Sequence, residues 1–376
     1  MNPQDAFQSW GLFAYFRKMN RFTVKAPGRI CLFGDHQDYL QLPIIACAIN
    51  RYITITGIPN SYKYFTVVTP DLDQERILSF HHTNSSSLNG DHLAAALKVV
   101  AQHGCVPTQG YTVTISGNVP INAGLSSSSA LVVAWVKWLL VTFGCNSELT
   151  PLLVAQLAYQ AEVVEQKSPG GKMDQYTSAL GDILYLETDA QSSFKLLNNS
   201  LNGLIVGVSG IPKDTIGLLG DLRGNALNSI AIVKKEIQHF ELSKATLVDY
   251  EKYKNLLPAE LSPYFYGAIQ NHLITQRALR EFNKPDIDYG TLGSLMNDHH
   301  TVLKDILKIT VPRIDAMITA AIEAGAYGAK IVGSGGGGSI CALASKKTEN
   351  DVISAIRKAG ALDAYGVQVS KGVRLL

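Results

Sequence analysis

The sequence predicts an α/β (α+β) chain of two domains, and three observations predict it. The chain has 376 residues, more than a single hydrophobic core usually serves. Strand-like and helix-like apolar runs occur in both halves, the second half being mainly helical before a small terminal α+β layer. A polar stretch at 191–202, with Asn198, Asn199 and Asn202, parts the halves, so domains are expected at 1–200 and 201–376. Hydrophobic residues make up 46% and charged residues 17%, which suits a folded globular protein and leaves ample material for a core.

Taken in order, Met1 to Asn20 reads as an arm or short helix. Phe22 to Lys25 and Ile30 to Phe33 read as short strands around an Ala26-Pro27-Gly28-Arg29 turn. Pro43 to Ile58 is a long β-rich run, Tyr64 to Thr69 continues it, and Asp91 to His103 reads as a helix closed by Gly104. Tyr111 to Ser116 alternates as a strand. Ala130 to Phe143 is an apolar helix, interrupted by Lys137 and shorter than the roughly 20 residues that cross a bilayer, so it is expected to be buried in protein. Thr150 and Pro151 open a helix to about Val164 that stops before Ser168-Pro169-Gly170-Gly171, and Ile183 to Leu186 is a strand. Beyond the divide come a strand at Leu204 to Val208 and helices at Ala226 to Leu242, Pro263 to Phe282, Leu292 to Ile309 and Pro312 to Glu323. Strands at Ala329 to Val332 and Ile340 to Ala344, a helix near Asp351 to Lys358 and a strand near Gly366 to Ser370 complete the chain.

Three loops carry chemistry. Asn118 to Leu131 puts a turn, a serine cluster and an apolar helix in succession. Gly124 lets backbone approach an anion, and Ser126 to Ser129 offer hydroxyls and free N–H groups at a helix start, where the macrodipole also favours negative charge. The same serines read equally well as a plain N-cap. Gly34 to Tyr39 places Asp35, His36 and Asp38 between two apolar strands, and loops held by rigid strands are where function concentrates. Gly333 to Ser339 joins two apolar runs without a polar spacer, which fits a backbone-lined pocket wall better than a flexible linker. No Gly-x-x-x-x-Gly-Lys-Ser/Thr loop occurs, so the P-loop fold is disfavoured while phosphoryl transfer is not.

The formal net charge is only +2 and no basic block occurs, which argues against nucleic acid or an anionic membrane surface as partner. Cys31, Cys47, Cys105, Cys145 and Cys341 are scattered, which argues against a disulfide framework and a thiolate zinc site and fits a reducing compartment. The first residues lack the basic start and unbroken apolar core of a secretion signal, so a cytoplasmic location is expected.

In this order, three segments resemble the GHMP kinases, the family of galactokinase, homoserine kinase, mevalonate kinase and phosphomevalonate kinase. Pro27 to Tyr39 is similar to the first motif of that family, Pro120 to Leu131 to the second and Lys330 to Ser339 to the third, so the likeness spans nearly the whole chain. The resemblance is closest to the galactokinases. Arg29 followed by Gly34-Asp35-His36-Gln37-Asp38-Tyr39 parallels their Arg and Gly-Glu-His-x-Asp-Tyr, and Gly171-Lys172-Met173-Asp174-Gln175 parallels the Gly-x-Met-Asp-Gln of their catalytic aspartate. Glu162 lies twelve residues before Asp174, the spacing of the family's magnesium-ligand glutamate.

The resemblance implies a two-domain GHMP kinase fold, with an N-terminal domain like domain 2 of ribosomal protein S5 and a C-terminal ferredoxin-like α+β domain. It implies an ATP-dependent sugar kinase that uses Mg²⁺ and makes a sugar 1-phosphate and ADP, as a monomer or weak homodimer. Asp174 would orient the anomeric hydroxyl and accept its proton, with Arg29 keeping that carboxylate ionised and offsetting charge on the γ-phosphoryl group. Asp35, His36, Asp38 and Tyr39 would contact the sugar. Gly124, Leu125, Ser126, Ser127, Ser128 and Ser129 would bind ATP, and Ser127 with Glu162 would hold Mg²⁺, a cation that prefers oxygen ligands. Two departures fall near the sugar: Asp35 stands for the usual glutamate, and Leu40-Gln41-Leu42-Pro43 lacks the usual glycines. The acceptor is therefore open among a hexose, a uronic acid, a pentose and a heptose, and Lys172 beside Asp174 suits a more anionic sugar. A mevalonate-type kinase and a catalytically silent sugar sensor are the rival readings.

Overall fold

The computed structural model describes residues 21–80, 90–197, 201–212 and 217–376. The expected arm at 1–20, and Asn198 and Asn199, lie outside the described residues. In chain order the first part comprises β1 (Phe22–Phe33), β2 (Ile44–Pro59), β3 (Tyr64–Thr69), β4 (Gln74–Ser79), α1 (His92–Ala101), β5 (Tyr111–Gly117), α2 (Ser127–Phe143), α3 (Pro151–Tyr159), α4 (Met173–Leu180), β6 (Ile183–Leu186) and β7 (Phe194–Leu197). The second comprises β8 (Leu204–Val208), α5 (Gly217–Glu236), α6 (Leu247–Tyr253), α7 (Ser262–Phe282), α8 (Tyr289–Thr301), α9 (Pro312–Glu323), β9 (Ala326–Val332), β10 (Ser339–Ala344), α10 (Glu349–Lys358), β11 (Asp363–Val367) and β12 (Arg374–Leu375).

Two sheets organise the chain. The first has eight strands in the order β12-β1-β2-β5-β3-β4, with β6 on the outer half of β2 and β7 beyond it. Its one parallel pair is β3 with β5. The second has four antiparallel strands in the order β11-β8-β10-β9. One face of the first sheet packs on α1 to α4 around Trp135 and Trp138, which stack with centroids 5.2 Å apart. Both indoles are fully buried, and their N–H groups donate to the carbonyls of Leu93 and Phe22 at 3.1 Å each, so burial leaves no donor orphaned. α2 is apolar on every side, which a helix tolerates only inside a core. A second cluster, with Ile30, Phe33 and Ile45 from the first sheet and Val206, Val332 and Cys341 from the second, joins the two layers. No helix among the described residues is long and apolar enough to cross a membrane.

Several expectations are corrected. The two short strands at 22–33 are one strand, because Pro27 sits where the pairing with β2 shifts register and its missing N–H interrupts nothing. Gly28 lies against the second loop, where a Cβ would come 2.8 Å from the Leu125 carbonyl oxygen. The helix expected to reach Val164 is α-helical only to Tyr159 and continues as a π-turn, Gln160–Val164. The helix expected to reach Ile309 likewise gives way to a π-turn at Val302–Ile306. Inside the polar stretch at 191–202, β7 forms a hairpin partner for β6. The last strand, β12, returns to β1, so the first sheet takes strands from both ends of the chain.

Candidate active site

Four loops converge on the end of β1. Gly34, at φ +97, and His36, at φ 63, turn the chain sharply after β1. Gly34 is required there, since a Cβ would come 2.8 Å from Ile44 Cγ2. The turn is followed by a short 3₁₀ segment at Asp38–Leu40.

Arg29, held in β1 with its side chain buried, makes the first link. Its Nε and Nη2 donate to Asp174 Oδ1 at 2.7 and 2.6 Å, and its Nη1 donates to the Gly124 carbonyl at 2.6 Å. Burial pulls the guanidinium down, and Asp174 together with the Cys31 and Asp35 charges more than offsets it, so Arg29 is held above its ordinary value. Asp174 sits in the first turn of α4, and its side chain remains 30% exposed.

Asp38 lies beside this pair. Burial, helped by the Asp174 charge, pushes its carboxyl up to about 6, although the backbone N–H groups of Met173 and Tyr39 oppose the shift. The Tyr39 N–H donates to Oδ1 at 2.9 Å. Gly171 makes room, since a Cβ there would overlap Asp38 Oδ2 at 2.2 Å. The glycine of the Gly171 to Gln175 stretch is therefore a requirement of close approach. Tyr39 Oη meets His36 Nδ1 at 3.1 Å. Burial pushes the Tyr39 and Tyr159 hydroxyls up, and the Arg223 guanidinium on α5 opposes that push at both.

Asp35 goes elsewhere. Its Oδ2 takes the Lys330 ammonium at 2.5 Å and its Oδ1 the Gly333 N–H at 2.9 Å, with the two side chains 1% and 0% exposed. Burial alone would raise this carboxyl, but Lys330, His299 and the Gly333 N–H together outweigh it and hold it at about 2. His299, stacked on Phe33 and fully buried, has no hydrogen-bond partner at either ring nitrogen among the described residues; burial pushes it down to about 3.

Ser126 holds the N-cap position of α2 at φ 60, yet its side chain makes no capping hydrogen bond and its buried hydroxyl has no partner among the described residues. The start of this 17-residue helix is therefore not closed by its N-cap side chain, which is compatible with an anion there. Ser127 is half-buried, Ser128 exposed and Ser129 buried. Gly124, at φ +78, abuts the glycine-rich loop: a Cβ on it would stand 2.7 Å from the Val332 carbonyl oxygen. Gly333, Gly335, Gly336, Gly337 and Gly338 all have positive φ, a backbone region that favours glycine, and the Gly338 N–H donates to the Ile211 carbonyl at 2.8 Å. One turn along α2, Leu131 lines a cavity of about 760 Å³ with Val67, Thr69, Ile115 and the Arg76–Asp91 ion pair.

Glu162 is buried in the π-turn, where Gln175 Nε2 donates to its Oε2 at 2.7 Å, and it has no ion-pair partner among the described residues. A buried carboxylate without a cation fits a metal ligand, and an oxygen-donor set of one carboxylate and a serine hydroxyl suits Mg²⁺, which retains waters and phosphate oxygens. The Lys172 ammonium donates to the Asp189 carbonyl and, at 2.6 Å, to Ser192 Oγ. Sequence reasoning missed the partner of Asp35 and the cavity beside α2. Lys330 did carry a signal, a lone charge in the apolar run Ala329 to Val332.

Comparison with known proteins adds the following. Residues 91–182 match the GHMP kinases N terminal domain, 276–362 the GHMP kinases C terminal, and 14–59 the galactokinase galactose-binding signature. The galactokinase of Mannheimia succiniciproducens is 29% identical over 100% of both chains. The mevalonate kinase of Thermococcus sibiricus is 28% identical over 94% of this chain and 98% of its own. Among solved structures, Lactococcus lactis galactokinase complexed with galactose superposes with a TM-score of 0.84 at 20% identity, covering 97% of this chain and 99% of that one. Mevalonate kinase of L. major in complex with R-mevalonate gives 0.67 at 19%, covering 92% and 95%.

Proposed function

This chain is a GHMP kinase, a phosphotransferase, and we propose that it phosphorylates the anomeric hydroxyl of a monosaccharide with ATP, giving a sugar 1-phosphate and ADP. One observation carries the reading: the Arg29–Asp174 pair, with Asp38 beside it, stands one carbonyl away from the uncapped start of α2. In this reading Asp174 is the proton acceptor, Asp38 and Tyr39 face the acceptor's hydroxyls and the start of α2 takes the phosphates. The match of residues 14–59 to a galactose-binding signature supports a sugar as acceptor.

In this reading the ATP phosphates lie on the α2 N-terminus and its nucleoside extends along α2 into the cavity at Leu131. The sugar oxygen forms its bond to the γ-phosphorus as the bond to the β-bridging oxygen breaks, ADP leaves, and the hydroxyl proton passes to Asp174. Arg29 fixes the Asp174 carboxylate and places positive charge beside the transferring group. Asp38 and Tyr39 accept and donate hydrogen bonds to ring hydroxyls, and an acceptor lacking the matching hydroxyl leaves them unpaired. Glu162 and Ser127 would hold Mg²⁺, which neutralises charge on the phosphates. Retention of Asp174, Arg29 and Glu162 together speaks against a silent sensor. Mevalonate is the rival acceptor, on the strength of the Thermococcus sibiricus relative.

The test is ADP release from MgATP across free sugars, sugar acids and mevalonate, with Asp174→Ala in parallel. Turnover of a sugar to an acid-labile phosphate, lost in the variant, is the expected result. Turnover of mevalonate alone overturns it.

A further inference from the structure

We propose that the buried Asp35–Lys330 pair is a positioning device that locks the phosphate loop in register with the catalytic aspartate, and that Asp35 does not contact the acceptor. The inference rests on the kinase reading. Lys330 Nζ donates to Asp35 Oδ2 at 2.5 Å, to the Cys31 carbonyl at 3.1 Å and to the Ile331 carbonyl at 2.9 Å, so its three protons are all used. Asp35 Oδ1 receives the Gly333 N–H at 2.9 Å, and the carboxylate side chain is only 1% exposed. Asp35 is thus closed off from the cleft in which Asp174 remains 30% exposed.

The pair holds Gly333, and Gly333 holds the phosphate loop. A Cβ at Gly333 would come 3.2 Å from Gly124 Cα, and one at Gly338 3.2 Å from the Ala123 carbonyl oxygen, so the two loops touch through bare backbone. The Gly124 carbonyl in turn receives Arg29 Nη1, whose Nε and Nη2 bind Asp174. An unbroken series of contacts therefore runs from Lys330 through Asp35, Gly333, Gly124 and Arg29 to Asp174. Phosphoryl transfer depends on alignment of its reacting atoms, so a pin that sets the distance between cradle and base acts on the nucleotide and on turnover without touching the sugar.

The test compares Asp35→Asn/Lys330→Met, which removes both charges together, with wild type and with Lys330→Arg. Three quantities are read: the Kd for MgADP by calorimetry, kcat, and the KM for the acceptor. The expected result is a folded double variant with weaker MgADP binding and kcat lowered by about 100-fold, the cost of an ångström-scale misplacement, while the acceptor KM moves by less than about 3-fold. Lys330→Arg, which keeps the charge, is expected to recover part of the loss. A selective rise in acceptor KM makes Asp35 a sugar ligand and overturns the proposal, as do unchanged constants. Failure of the double variant to fold also overturns it, since the pair is then a requirement of folding. The MgADP measurement needs no acceptor, so it decides the matter even if no sugar is turned over and the proposed function falls.

Discussion

Asp35 and Asp38 stand in the same short loop, yet the fold sends their carboxyls in contrary directions, to about 2 and about 6. Burial pushes both up by the same mechanism; the difference is the sign of the neighbour. Asp35 meets the Lys330 ammonium, whereas Asp38 meets the Asp174 carboxylate. The first environment is sealed, with both side chains at most 1% exposed, whereas Asp38 is only half-buried. One turn thus places one carboxylate in a closed ion pair and the other beside a second carboxylate.

The strongest test of this contrast is at the open end. Asp174→Asn keeps the shape and removes the base, and kcat is expected to fall by about 10³-fold; the thermal midpoint is expected to fall too, because the buried Arg29 loses its carboxylate, but by less than at a fully buried pair, since Asp174 is 30% exposed. At the sealed end the signature inverts: Lys330→Met strands a buried carboxylate and should lower unfolding free energy by about 3–5 kcal/mol in urea titrations, most of it recovered when Asp35→Asn is added. Gly171→Ala drives a methyl into Asp38 and is expected to raise the acceptor KM by about 10-fold, leaving MgADP binding unchanged. The smallest effect concerns Asp38 and pH. Its folded value of about 6 exceeds the ordinary 3.8, so the stability its proton contributes is fully present below about pH 3.8 and is lost as pH rises through about 6. Asp38→Asn should therefore stabilise the unliganded protein by on the order of 1–2 kcal/mol at pH 7, and the gain should vanish toward pH 4. Absence of that pH trend would mean Asp38 is not desolvated beside Asp174.

Much of the fold was legible. Tyr64 to Thr69 and Pro312 to Glu323 stand where periodicity and Pro-initiated helix starts put them. The serine run was legible as residues, but that Ser126 leaves the helix start without a side-chain cap was not, since that depends on its φ of 60 and not on its type. The π-turn that carries Glu162 was not legible, because the apolar spacing of 152–164 is satisfied by an uninterrupted helix and the insertion comes from packing. That Lys172, two residues before Asp174, hydrogen-bonds to Asp189 and Ser192 was not legible either, because those partners lie 17 and 20 residues further along.

By itself the sequence determined the α/β class and the order of the three loops, because these follow from local pattern and from motifs of adjacent residues. Only the tertiary structure decided which charge each carboxylate meets. Arg29 and Asp174 are 145 residues apart, and Asp35 and Lys330 are 295 apart. Electrostatic shifts depend on distance and desolvation in space, and those are set only when the two sheets close on each other.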